Sequence, residues 1–153
     1  MLDTRGFRDR QLYSGSSAEI YAPSRTLLGA PQEEWLFDRL RGSQRSGTPW
    51  RLLGQQVLFS PVTPPLLPTL NADVWDGYPA ARSRVFDLLE RERIGNVAIL
   101  TGDLHSAWAF DVPRDPWRAY DAGTGAGAVA VEVGAPPTRR RIEAGERHAS
   151  RPI

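Results

Sequence analysis

The feature that most constrains this chain is a helix-like segment running straight into a short apolar run. From Pro79, the residues Val85, Phe86, Leu88 and Leu89 form an apolar stripe at helical spacing, and Gly95 stands where a helix stop is expected. The segment from Asn96 to Thr101 follows at once, with the short continuous apolar character of a strand buried on both faces of a sheet. Together they predict an α/β fold.

The rest of the chain is read around this unit. Pro31 to about Arg41 predicts another helix, with proline in its first turn, Trp35, Leu36 and Leu40 on one face, and Gly42 at its end. Trp50 to Phe59 is an apolar run of strand length, after which Pro61, Pro64, Pro65 and Pro68 impose a long loop. Further strands are expected at Ala107 to Val112 and at Ala128 to Val133, and the opening residues Met1 to Arg5 read as the end of a strand. Residues 138–153, beginning Thr138-Arg139-Arg140-Arg141, offer little to bury and predict a disordered arginine-rich tail behind a single unit spanning 1–137.

Composition narrows the chemistry. At 153 residues the chain has room for one domain. A net charge of +1 argues against a phosphate-backbone footprint, so no nucleic-acid-specific binding is expected. With no cysteine, any metal must sit on carboxylate, imidazole, amide or phenol groups. No stretch approaches the roughly 20 apolar residues of a membrane span, and Met1 to Arg10 show no export signal.

In open α/β sheets, ligands gather at the carboxyl ends of strands, and Asp103 and His105 follow the strand that ends at Thr101. In an extended segment their i, i+2 spacing would turn both side chains to one side, where a carboxylate oxygen and an imidazole nitrogen can approach one metal ion. Taken alone the pair is weak, since Asp103 capping a turn beside an ordinary polar His105 is the simpler reading. The loop from Asp73 to Tyr78 brings two carboxylates and two aromatics ahead of a helix, where Asp76 also reads as a cap. Arg5, Arg82 and Arg84 offer planar forks suited to phosphate oxygens. The string Gly123-Thr124-Gly125-Ala126-Gly127 precedes a strand instead of opening a helix, so it is not a nucleotide fingerprint, and His148 receives no role. A serine hydrolase using Ser60 or Ser106 finds no nucleophile elbow.

Taken in order, the motifs Leu2-Asp3-Thr4-Arg5 with Arg8, Arg25-Thr26-Leu27-Leu28-Gly29 with Gln32, Asp73-x-Trp75-Asp76-Gly77-Tyr78-Pro79 with Arg82, and Leu100-Thr101-Gly102-Asp103-Leu104-His105-Ser106-x-Trp108 resemble the PhoD-like alkaline phosphatases of the calcineurin-like metallophosphoesterase superfamily. The resemblance implies an αββα sandwich with mixed sheets, of which the chain holds the C-terminal portion, its N-terminal half being absent. It implies hydrolysis of small phosphoester substrates with bound metal ions, calcium and iron by family likeness, and an exported parent protein. Asp103 and His105 inherit the metal-ligand assignment and, with Arg5, the catalytic one; Asp76, Tyr78 and Arg82 become substrate-binding candidates, with Trp75 and Trp108 packed beneath. The family's earlier ligand motifs have no counterpart here, so the chain alone is expected to be inactive or weak. The alternative reading is a non-catalytic α/β remnant that acts as a binding or vestigial module.

Overall fold

The computed structural model describes residues 1–12, 17–64, 67–103, 105–118 and 130–134. The glycine string 123–127, His148 and the tail 138–153 lie outside them. In chain order the elements are α1 (Ser17–Ile20), α2 (Ala30–Arg45), β1 (Arg51–Gly54), α3 (Pro79–Arg91), β2 (Val97–Thr101), β3 (Trp108–Val112) and β4 (Ala130–Gly134), with a 3-10 turn at Trp75–Gly77 ahead of α3. The four strands form one mixed sheet in the order β1-β2-β4-β3. β1, β2 and β4 run parallel, and β3 is antiparallel to β4.

Period-2 alternation decides which strand residues meet the helices. Val97, Ile99 and Val112 are buried and join one contiguous core with Leu36 and Leu40 of α2 and Val85, Phe86, Leu88 and Leu89 of α3. Leu53, aligned with Ile99, packs against the same core. Phe59 bridges the core aromatics, its ring 4.8 Å from Trp75 and 5.7 Å from Phe86. Each such large apolar side chain, once fully buried, contributes about 1.5–3 kcal/mol. The two long helices are also stitched side by side, since Arg84 pairs with Glu33 and Arg41 with Glu92. Both partners advance along the sequence together, so α2 and α3 run in the same direction.

The opposite face of the sheet behaves differently from the expectation of a strand buried on both sides. Leu52, Leu100 and Val133 are 68%, 44% and 39% exposed, and register places Leu100 beside Val133. Among the described residues nothing covers this face. The apolar run of β2 therefore reports a hydrophobic strand, but only its Val97, Ile99 and Thr101 side is sealed.

Helix ends also differ from the pattern reading. α2 continues through Gly42 to Arg45, and it is Gly47, at φ +66°, that takes the left-handed position after the helix. Ser43 and Gln44, in this extra turn, accept hydrogen bonds from the Arg51 guanidinium, which ties the helix end to β1. Trp35 lies 46% exposed while Leu36 and Leu40 face inward. The expected strand at 50–59 is only the four residues of β1, beyond which Val57, Leu58 and Phe59 are buried without a ladder.

α3 ends before Gly95 because Ile94 is drawn into the core. The Ile94 N–H donates to the Leu89 carbonyl at 2.8 Å, which leaves Arg93 in the left-handed region at φ 52°. A glycine there removes the steric cost of a side chain in that conformation. Arg93→Gly is therefore expected to stabilise the fold by about 0.5–1 kcal/mol in urea unfolding, whereas Gly95→Ala, with open space around it, leaves stability nearly unchanged.

Candidate active site

Three loops converge at the carboxyl end of β2, and each is held by side chains bonding to backbone. In the first, the Asp3 carboxylate accepts the N–H groups of Arg5 and Gly6, both at 2.8 Å, closing a tight turn. These backbone bonds, Gly6 first, hold the Asp3 carboxyl below the usual carboxylate range. Gln32 of α2 accepts from the Asp3 N–H and donates to its carbonyl. The Gln56 side-chain oxygen accepts from both the N–H and the hydroxyl of the buried Thr4. The position of Arg5 is thus fixed from α2 and from the loop after β1 at once.

The second loop carries Asp73. Its backbone N–H donates to the Asn71 side chain at 3.0 Å. One carboxylate oxygen accepts from Arg5, and the other accepts from Arg8 at 2.6 Å, while Arg8 also reaches the Asp73 carbonyl. The hydrogen bond from Arg5, followed by that from Arg8, keeps the Asp73 carboxyl below the ordinary range, and the same Asp73 bond raises Arg5 above its own.

The third loop follows β2. The second guanidinium nitrogen of Arg5 lies 3.7 Å from the Asp103 carboxylate, so residues from opposite ends of the described chain meet here. Asp103 and His105 both hold left-handed backbone, at φ 75° and 55°. The extended spacing that would have aimed their side chains the same way is therefore not the geometry present, because the strand ends at Thr101 and the chain turns immediately. Non-glycine residues in this region cost of order 1–3 kcal/mol each and cluster at functional sites, with aspartate and histidine among those best able to adopt it. Both are exposed, with Asp103 42% accessible at its side chain.

Asp76, Tyr78 and Arg82, the substrate-binding candidates of the resemblance, are buried. Asp76 is 9% exposed and accepts the N–H groups of Val62 and Thr63, holding the proline-rich loop. Tyr78 is fully buried and its hydroxyl donates to the Asp9 carbonyl at 2.7 Å, with the Arg25 guanidinium 4.5 Å from its ring centre. Arg82, also 9% exposed, donates to the carbonyls of Phe59, Pro113 and Arg114. Burial and these partners make the three into groups that fasten loops. Trp75 is buried in the core and Trp108 packs against it, as supports. Arg84 is engaged with Glu33 and the carbonyls of Pro23 and Arg25.

Gln32, Gln56, Arg25 and Asp9 act through contacts between loops distant in sequence, and no local pattern announces such pairs. A signal did exist for Gly77, which sits between Asp76 and Tyr78. An added Cβ there would lie 2.2 Å from the Ala72 carbonyl oxygen, so only glycine allows the two backbones to approach.

The donor set bears on metal binding. Asp103 and His105 supply a hard oxygen and an imidazole nitrogen of the kind that hold divalent or trivalent ions. Among the described residues no group of three or more such side chains gathers, so the two could supply at most part of a coordination sphere. No helix among the described residues is long and apolar enough to cross a membrane.

Two outcomes follow from this geometry. Gly77→Ala is expected to lower stability by about 1–3 kcal/mol in chemical denaturation, as an overpacked site that must shift backbone. For Asp73, a folded-state carboxyl below its unfolded value means that its contribution is complete above the unfolded value and is lost as pH falls through the folded one. The difference in unfolding free energy between the wild type and Asp73→Asn should hold steady above about pH 5 and shrink below about pH 4.

Comparison with known proteins agrees with the motifs. A PhoD-like phosphatase family model matches residues 1–151. Alkaline phosphatase D of Bacillus subtilis (strain 168) is 40% identical across 75% of this chain and 20% of its own length. A solved structure of PhoD superposes with a TM-score of 0.75 at 36% identity, covering 88% of this chain and 26% of that one. The chain thus spans about a fifth to a quarter of the length of these relatives. With the family model matching from the Arg5 turn through the end of β2 and beyond, the chain belongs to the PhoD-like phosphatase family.

Proposed function

We propose that this chain forms one wall of the active site of a metal-dependent phosphoester hydrolase. The observation that carries the reading is the meeting of Arg5 and Asp103 at the carboxyl end of β2, 3.7 Å apart, within a family of phosphatases. Asp103 and His105 are the residues that would hold metal. A metal bound there would supply Lewis-acid polarisation of a phosphoryl oxygen and an acidified water.

The chain's own contributions are more specific. Arg5 presents a permanent positive charge 40% exposed at its side chain, able to donate hydrogen bonds to phosphoryl oxygens and to offset charge that grows on them during transfer. Asp103 and His105, each on left-handed backbone and exposed, leave carboxylate and imidazole open to an incoming ion. Small phosphomonoesters and phosphodiesters are the substrates, and export of the parent protein follows the family.

Two donor side chains do not complete the roughly six positions that an oxygen-rich ion fills. The chain alone is accordingly expected to turn over p-nitrophenyl phosphate and its diester weakly or not at all. In the longest open reading frame containing it, turnover should appear, and Asp103→Asn or His105→Ala should lower kcat at least about 100-fold. Turnover there that is indifferent to both substitutions would favour the non-catalytic remnant.

A further inference from the structure

The charged cluster that faces Asp103 has a part not yet assigned to the reaction. We propose that Asp73 is a positioning residue that holds the Arg5 guanidinium ready for a phosphoryl group, an inference that rests on the function proposed above. Asp73 bonds only the first terminal nitrogen of Arg5. The edge formed by Nε and the second terminal nitrogen makes no hydrogen bond to any other described residue, and this edge is the planar fork that binds two oxyanion oxygens at once. Asp73 thus fixes the guanidinium from one side and leaves the other edge, whose second terminal nitrogen lies 3.7 Å from the Asp103 carboxylate, free of hydrogen bonds to described residues.

Both ends of the contact are themselves anchored. The backbone at Arg5 is closed onto Asp3, which is gripped by Gln32. Asp73 is held by Asn71 through its N–H and by Arg8 through its second carboxylate oxygen and its carbonyl. Arg8, 18% exposed at its side chain, also balances the charge of Asp73 so that the carboxylate does not cancel that of Arg5. An arginine ordered before its ligand arrives loses less rotamer freedom on binding.

A bystander carboxylate and a positioning one make opposite predictions. A negative charge that merely sits near an anion site repels phosphate, so its removal tightens binding. A carboxylate that orders Arg5 makes binding weaker when it is removed. With inorganic phosphate as the probe and the whole chain labelled with nitrogen-15, the Arg5 Nε–H signal reports binding residue by residue. Phosphate should shift that signal in the wild type, and Asp73→Asn should weaken the affinity about tenfold, with Asp73→Glu recovering part of the loss. Affinity unchanged or raised in Asp73→Asn overturns the positioning role while leaving the phosphatase reading intact. A wild-type Arg5 signal that phosphate does not move overturns both.

Phosphate-free wild-type protein gives a second test that needs no variant. The Arg5 Nε–H should be markedly more rigid in heteronuclear relaxation than that of the exposed Arg45, whose side chain makes no hydrogen bond to another described residue. Equal mobility of the two would overturn the inference.

Discussion

The structure depends on how its long non-helical connections satisfy their backbone polar groups. Buried carbonyls and N–H groups must be paired, and the proline-rich segment between β1 and α3 and the loop after Arg5 have few ladders in which to do so. Arg82 supplies donors to Phe59, Pro113 and Arg114, Arg25 to Gly77 and Arg10, and Tyr78 to Asp9. Asp76 supplies acceptors for Val62 and Thr63. These side chains do for the loops what strand pairing does for the sheet.

That economy explains why motif residues divide into two kinds. Arg25, Gly77, Tyr78 and Arg82 fasten one loop to another beneath the surface. Arg5, Asp103 and His105 stand on those fastened loops and remain accessible. A scaffold of this sort places reactive groups within the tolerance that chemistry requires, because their supporting backbone is fixed from several directions. Left-handed backbone at Asp103 and His105 is tolerated on such a base.

The fold was legible wherever one period governed a segment. The stripe of Val85, Phe86, Leu88 and Leu89 marked α3, and the run to Thr101 marked β2. Helix stops were misplaced because tertiary forces chose them: Ile94 burial set the end of α3, and the Arg51 bonds to Ser43 and Gln44 accompany the extra turn of α2. At the site, residue types in order drew attention to Arg5, Asp103 and His105, which the structure leaves accessible. Residue types did not announce that Asp76, Tyr78 and Arg82 are buried, since burial is a property of the assembled loops. The pairing of Asp73 with both Arg5 and Arg8 was equally beyond local pattern.

The central claim is that the acid and imidazole following β2 face a cation. Titrating the nitrogen-15-labelled chain with manganese(II) tests it most directly, because paramagnetic broadening detects even weak and partial coordination. The signals of Asp103, His105 and their immediate neighbours should broaden first, and His105→Ala with Asp103→Asn should abolish the effect. Broadening that begins elsewhere, or that survives the double substitution, would contradict it.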